Sequence, residues 1–210
     1  MPTTLTVLRF RQPLEWGALD LPLFGLTADW YGNPVDPPAG WSLAVDPERL
    51  WFVASRSRPA LAHPQARPGK FLAGLWRHDV AELFISAPSG EPYLELNLAP
   101  NGAWWSALFA TPRERVEPVD REWPEVRTHA ESAADGSWVA AISLPLESLR
   151  AVLDFGERSR ANVTFILDSP DQRFLSAAAP HDGDPDFHRP SAFLPLAFHD
   201  GGLPGGGPPH

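Results

Sequence analysis

Short apolar runs, rather than long amphipathic stretches, punctuate this chain from end to end. Leu5 to Phe10, Leu50 to Ala54, Asp79 to Ser86, Tyr93 to Leu98 and Trp104 to Ala110 each have the length and residue types of a strand. Trp138 to Leu144, Val163 to Leu167, Arg173 to Ala177 and Leu194 to Phe198 continue the series. Turn chemistry separates them at Ser89-Gly90, Asn101-Gly102 and Asp135-Gly136, with proline-rich loops elsewhere. Helical signal is scarce: Leu146 to Leu149, after Pro145, predicts one turn. The pattern predicts an all-β fold, a two-sheet antiparallel β-sandwich of immunoglobulin or jelly-roll kind with one or two short helical turns.

Tyr93 to Ala110 is the most informative stretch. Leu94, Leu96 and Leu98 alternate with Tyr93, Glu95 and Asn97, so the leucines face a core and the others face away. If Asn101 and Gly102 form a two-residue hairpin turn, Leu98 pairs with Trp105 and Leu94 with Phe109. Trp105, Ala107 and Phe109 then lie in the core, and Trp104 and Ser106 on the outer face. A bulge near the turn would exchange Trp104 and Trp105, because a one-residue slip reverses every side chain. In the preceding run Ala81, Leu83 and Ile85 face the core, leaving Val80, Glu82 and Phe84 outside. The outer face therefore gathers carboxylates, an amide and aromatic rings, a mixture suited to sugars. A solvated sheet face with exposed rings would show the same pattern.

Composition narrows the function classes. The chain has 210 residues, with 25 Pro, 16 Gly, 9 Trp and 12 Phe, and proline at that density fits many short strands joined by turns. Residues 1–199 are expected to form one domain, and 200–210 a flexible Gly/Pro-rich tail. A net charge of −9 and a pI near 5.2 argue against nucleic-acid binding and against a polybasic membrane contact. No stretch has the length of a membrane span and no signal peptide is evident, so a cytoplasmic location is expected. The absence of cysteine excludes disulfides and thiolate chemistry.

Four segments in order resemble the family 9 carbohydrate-binding modules and the related DOMON-like domains. Leu75-Trp76-Arg77-His78-Asp79-Val80-Ala81-Glu82 is similar to the family's W-x-x-D-x-x-E strand. Tyr93-Leu94-Glu95 through Pro100-Asn101-Gly102 is similar to its Y-x-E-x-x-x-x-P-x-G hairpin. Gly136-Ser137-Trp138 through Pro145 resembles the G-x-W-x-x-x-I-x-I/L-P strand, and Phe187-His188-Arg189-Pro190 the closing F-H-x-P. One departure stands at Ala141, where relatives often carry an acid. The resemblance implies a β-sandwich that binds sugar or, in some branches, haem.

Together these features predict a non-catalytic domain that binds a small saccharide on the face carrying Glu82, Tyr93, Glu95, Asn97 and Trp104. Trp76, His78, His188 and Arg189 are the expected rim, with Trp76 the loop-borne stacking ring. Recruitment of a protein partner by an exposed sheet face or edge is the alternative. Catalysis finds little support, because Asp79 and Glu82, three apart on a strand, face opposite ways; only Glu82 and Glu95 could meet across paired strands. The loop His181 to His188 is rich in metal-ligand types but lacks the terminal Glu of a calcium loop, so no cofactor is expected, with calcium or another divalent ion as the alternative. Haem through a Met/His pair is excluded, since the lone methionine is Met1, and bis-His ligation is the haem mode left open as a third reading. Trp51, Trp105 and Trp138 are expected in the core, and Trp16, Trp30, Trp41 and Trp123 as loop anchors.

Overall fold

In the computed structural model, which describes residues 2–117, 120, 122–178 and 183–201, every apolar run named above forms a strand. The first half of the chain contributes β1 (Leu5–Arg9), β2 (Phe24–Ala28), β3 (Pro34–Val45), β4 (Arg49–Arg56), β5 (Val80–Ser86) and β6 (Tyr93–Leu98). Then come β7 (Trp104–Thr111), β8 (Glu114–Arg115), β9 (Arg127–Ser132), β10 (Trp138–Pro145) and the helix α1 (Leu146–Leu153). Last are β11 (Arg160–Leu167), β12 (Arg173–Ser176) and β13 (Leu194–Asp200). Single 3-10 turns stand at Leu75–Arg77 and Pro190–Ala192.

The strands hydrogen-bond in the order β8-β7-β6-β5-β11-β13-β1-β3-β4-β10-β9, with β12 beside β11 and β2 beside β3. This is one curled sheet whose two halves, joined through β13, face each other as the layers of a sandwich. The expected antiparallel pairing needs one correction: β1 runs parallel to both β13 and β3. No hairpin links β1 to either neighbour, so no tight turn fixes an antiparallel direction. The inner faces share one core, in which Leu83, Leu96 and Phe165 from one half meet Leu43, Phe52 and Ile142 from the other. The helix docks there through Leu146, Leu149 and Leu153, spaced to share one face, and extends a full turn beyond the expected one.

The β6–β7 connection decides which side chains face outward. Gly102 N–H donates to Ala99 O at 2.9 Å, and Ala99 N–H donates to Ala103 O at 2.8 Å. Gly102 alone in the turn takes a positive φ, +82°, while Asn101 does not. The connection is therefore a three-residue loop, a turn followed by a left-handed glycine, and not the two-residue turn the sequence suggested. The extra residue slips the register by one, so Leu98 faces Trp104, Asn97 faces Trp105 and Tyr93 faces Phe109. Trp104 joins the inner core with the leucines, and Trp105, Ala107 and Phe109 take the outer face.

A β-branched residue at 102 should be poorly tolerated. Beyond the strain of a positive φ, an added Cβ would stand 3.4 Å from Ala130 Cβ. Gly102→Val is expected to lose more than about 1 kcal/mol in urea denaturation. An unchanged midpoint would show that the loop adopts another conformation.

Neither outer face is bare. On the β4–β10 side, Leu14, Trp16, Leu19 and Leu21 lie over Trp51, Val53 and Ala141. Asp46 Oδ2 holds that strap by accepting from Leu14 N at 3.0 Å and from Trp51 Nε1 at 2.8 Å. Trp16 stacks on His129 with ring centroids 5.2 Å apart, the anchoring role expected of it. On the β5–β6–β7 side the cover is the 183–193 segment, where Phe187 and Phe193 close over Phe84, Tyr93 and Trp105. The open sheet face expected for a ligand or a partner is thus largely roofed.

Candidate functional site

Beneath that roof the sheet keeps a cavity of about 360 Å³. Its floor comes from alternate positions of adjacent strands: Glu82 and Phe84 on β5, Glu95 on β6, Trp105 and Phe109 on β7, Ile166 on β11. Alternation puts these on one face by necessity, and the register places Phe84 opposite Glu95 and Glu82 opposite Asn97. Trp76, from the turn before β5, meets the Trp105 ring edge-on at 5.4 Å. Arg113 and Arg115 stand at the mouth, and Phe187 and His188 form the lid.

Of the nine residues the sequence singled out, Trp76, Glu82, Glu95 and His188 line this cavity. Tyr93 lies just behind it: its hydroxyl accepts from Arg113 N–H at 3.2 Å and stands 2.8 Å from His188 Nδ1. The other ring nitrogen of His188, Nε2, is 3.5 Å from Glu95 Oε2. Asn97 is fully buried between Glu82 and Trp105 and is not part of the lining. His78 packs against His63 at 4.9 Å, and the Arg189 guanidinium sits over the Trp30 ring at 5.9 Å. Trp104 is on the far side of the sheet, edge-on to Phe71, for the reason given by the Gly102 loop.

The residues missed by sequence reasoning are chiefly Trp105, Phe109, Arg113, Arg115 and Phe187. Trp105 and Phe109 follow from the register. Arg113 and Arg115 occupy alternate positions just past β7, a signal visible only once that strand is known to border the site. Asp79, the motif acid, is structural: Oδ1 accepts Ser169 N at 2.9 Å and Oδ2 accepts Leu61 N at 3.2 Å, clamping two loops to the start of β5.

Electrostatics set the cavity apart from an ordinary core. Glu82 and Glu95 are both almost wholly buried. Burial pushes Glu82 up to about 7, with the hydrogen bond from Thr164 Oγ1 at 3.0 Å opposing the shift. Burial and then the neighbouring Glu82 charge push Glu95 well above the usual carboxyl range. The same burial, with the Arg113 charge, lowers His188 to about 4, and burial raises Tyr93 to about 12. The Trp105 indole N–H is buried with no hydrogen-bond partner, an orphan donor beside the cavity.

Among the described residues no three His, Asp or Glu side chains gather as a metal site. His181 and Asp182, which prompted the calcium alternative, lie outside the described residues, as do 202–210 of the expected tail.

No family model matches the sequence. The rat (Rattus norvegicus) UPF0462 protein C4orf33 homolog is 28% identical over 145 residues, covering 65% of this chain and 67% of that protein. Among solved structures, a candidate carbohydrate-binding protein from Bacteroides uniformis superposes with a TM-score of 0.68 at 16% identity, covering 94% of this chain and 99% of that one. A family 9 carbohydrate-binding module from Caldicellulosiruptor kristjanssonii in complex with glucose gives 0.61 at 11% identity, covering 95% and 98%. A family 9 module from the same organism in complex with cellotriose gives 0.55 at 11%, covering 98% of each chain. The chain has the fold of the family 9 carbohydrate-binding modules, as its sequence motifs implied.

Proposed function

We propose that this domain binds a small saccharide, without catalysis, in the cavity between Trp105, Trp76 and the Glu82–Glu95 pair. The observation that carries the proposal is the cavity itself: aromatic walls for the C–H faces of a sugar ring, beside carboxyl groups for its hydroxyls. Its volume, near the low end of the roughly 300–1,000 Å³ typical of small-molecule pockets, suits one or two sugar rings. The structural neighbours in complex with glucose and cellotriose support the same ligand class. No cofactor enters this proposal.

Trp76 offers the cleanest test, because it is only half buried and stands at the mouth rather than the floor. Trp76→Ala is expected to weaken saccharide binding by roughly 1–3 kcal/mol, read by calorimetry against gluco- and cello-oligosaccharides. The melting temperature should move by only a few degrees. Binding unchanged in the variant would place the sugar elsewhere. New reducing ends released from a bound oligosaccharide would replace this proposal with a hydrolase that uses the paired carboxyls.

A further inference from the structure

The cavity is lined by two carboxyl groups and two arginines, and each arginine is ion-paired to another acid. Glu82 enters from β5, Glu95 from β6, Arg113 and Arg115 from the β7–β8 end, and His188 from the covering segment, with Asp186 beside it accepting from His188 N–H. Both arginines are already engaged: Arg113 Nη2 is 2.8 Å from Asp186 Oδ1, and Arg115 Nη1 is 2.6 Å from Asp120 Oδ1. His188 is neutral near pH 7, since burial holds it at about 4, and it brings Glu95 no charge. Glu82 accepts from a neutral hydroxyl, that of Thr164. Two carboxyl groups on neighbouring strands therefore share an aromatic-walled space with no arginine or lysine ion-paired to either among the described residues.

Without a cation the pair relieves its repulsion by holding protons, with Glu82 raised to about 7 and Glu95 well above the usual carboxyl range. Like charges in a desolvated space repel, and each ionised carboxylate there lacks the water it had in the unfolded chain. A neutral hydroxyl would leave those protons in place. An ammonium group would displace them, with three donors for the carboxylate oxygens and a positive charge that aromatic faces attract.

We infer that the saccharide taken by this cavity carries a protonated amino group, seated between Glu82 and Glu95 and bordered by Trp76 and Trp105. The inference rests on the saccharide proposal and narrows it to amino sugars. Binding would displace protons held by the carboxyl pair. Affinity for the amino sugar should therefore fall as pH is lowered from about 7 to 5, because protons then compete with the ammonium group.

Calorimetric titration of the whole chain with glucosamine, glucose and N-acetylglucosamine, and with their β-1,4-linked trimers, tests this near pH 7. The amino sugars are expected to bind at least about tenfold more tightly than both neutral counterparts, the size of one charge-assisted hydrogen bond. Glu95→Gln and, separately, Glu82→Gln should each cut that ratio several-fold; both exchanges are nearly isosteric and remove a buried group that must ionise to hold the amine, so folding should survive. Equal or better binding of the neutral sugars overturns the amino preference and leaves the saccharide proposal standing. A preference that persists undiminished in both variants places the amine elsewhere and overturns it too. Silence from all of the sugars overturns the saccharide proposal and this inference with it.

Discussion

Replacing Trp104 with alanine is expected to cost about 3–5 kcal/mol of stability, among the largest losses available to a single substitution in this chain. The ring is 4% exposed and packs in the inner core, edge-on to Phe71 with centroids 4.9 Å apart. Its strand partner is Leu98, so the hole would open directly beneath the leucine row of β6. Few neighbours can collapse into it, because both sandwich layers are fixed by their ladders. Chemical denaturation measures the loss, with the slope against denaturant as a check that the unfolded state is unchanged. A loss under about 1 kcal/mol would mean that Trp104 is peripheral and that the β6–β7 register is the one first read from the sequence. Trp105 cannot serve as the neutral control, since it too is buried, at 1% exposed. The control is Trp76, at the cavity mouth.

Those two adjacent tryptophans show where the sequence was legible and where it was not. Alternation on β5 and β6 separates Leu83 and Leu96 from Glu82 and Glu95 without ambiguity, and the structure keeps that separation. The turn is harder, because Asn-Gly serves both a two-residue hairpin and the second half of a three-residue one. Only the φ angle at Asn101 distinguishes them, and one residue of difference inverts all of β7. β3 was invisible for a different reason. Its first half, Pro34-Val35-Asp36-Pro37-Pro38, reads as a loop, yet it pairs with β2 across a register shift and runs past the end of β4. Proline is tolerated where no ladder donor is required. The roof of the site was the least legible part. Phe187 and His188 carry no strand pattern, and their position over Phe84 and Tyr93 depends on contacts spanning about half the chain. Local patterning cannot encode such distances, whereas the order of four motifs could still indicate the fold.

The buried carboxyls should also be visible in the pH dependence of stability, most clearly by comparing the wild type with Glu82→Gln. Glu82 has a folded-state value near 7, above its unfolded value of about 4.3, so the folded chain binds the extra proton between those limits. Stability contributed by that proton is fully present below about pH 4.3 and is lost as pH rises towards 7. The shift corresponds to roughly 3–4 kcal/mol. His188 acts in the opposite sense: its folded value of about 4 lies below its unfolded one, so its contribution grows as pH rises through the same window. The wild-type profile is a sum of opposed slopes and identifies neither group. The difference between the two proteins removes His188, which both retain. Glutamine at 82 fills nearly the same volume, keeps an acceptor for Thr164 and never ionises. It also removes the charge that helps push Glu95 up. The variant is therefore expected to match the wild type near pH 4 and to exceed it by about 1–3 kcal/mol at pH 8, with the gap opening between about pH 5 and 7. A constant difference across this range would mean that water solvates Glu82 and that the cavity is open to its floor. A variant less stable than the wild type at pH 8 would mean that the ionised carboxylate is held by donors worth more than its desolvation, which would remove the uncompensated charge on which amino-sugar binding depends.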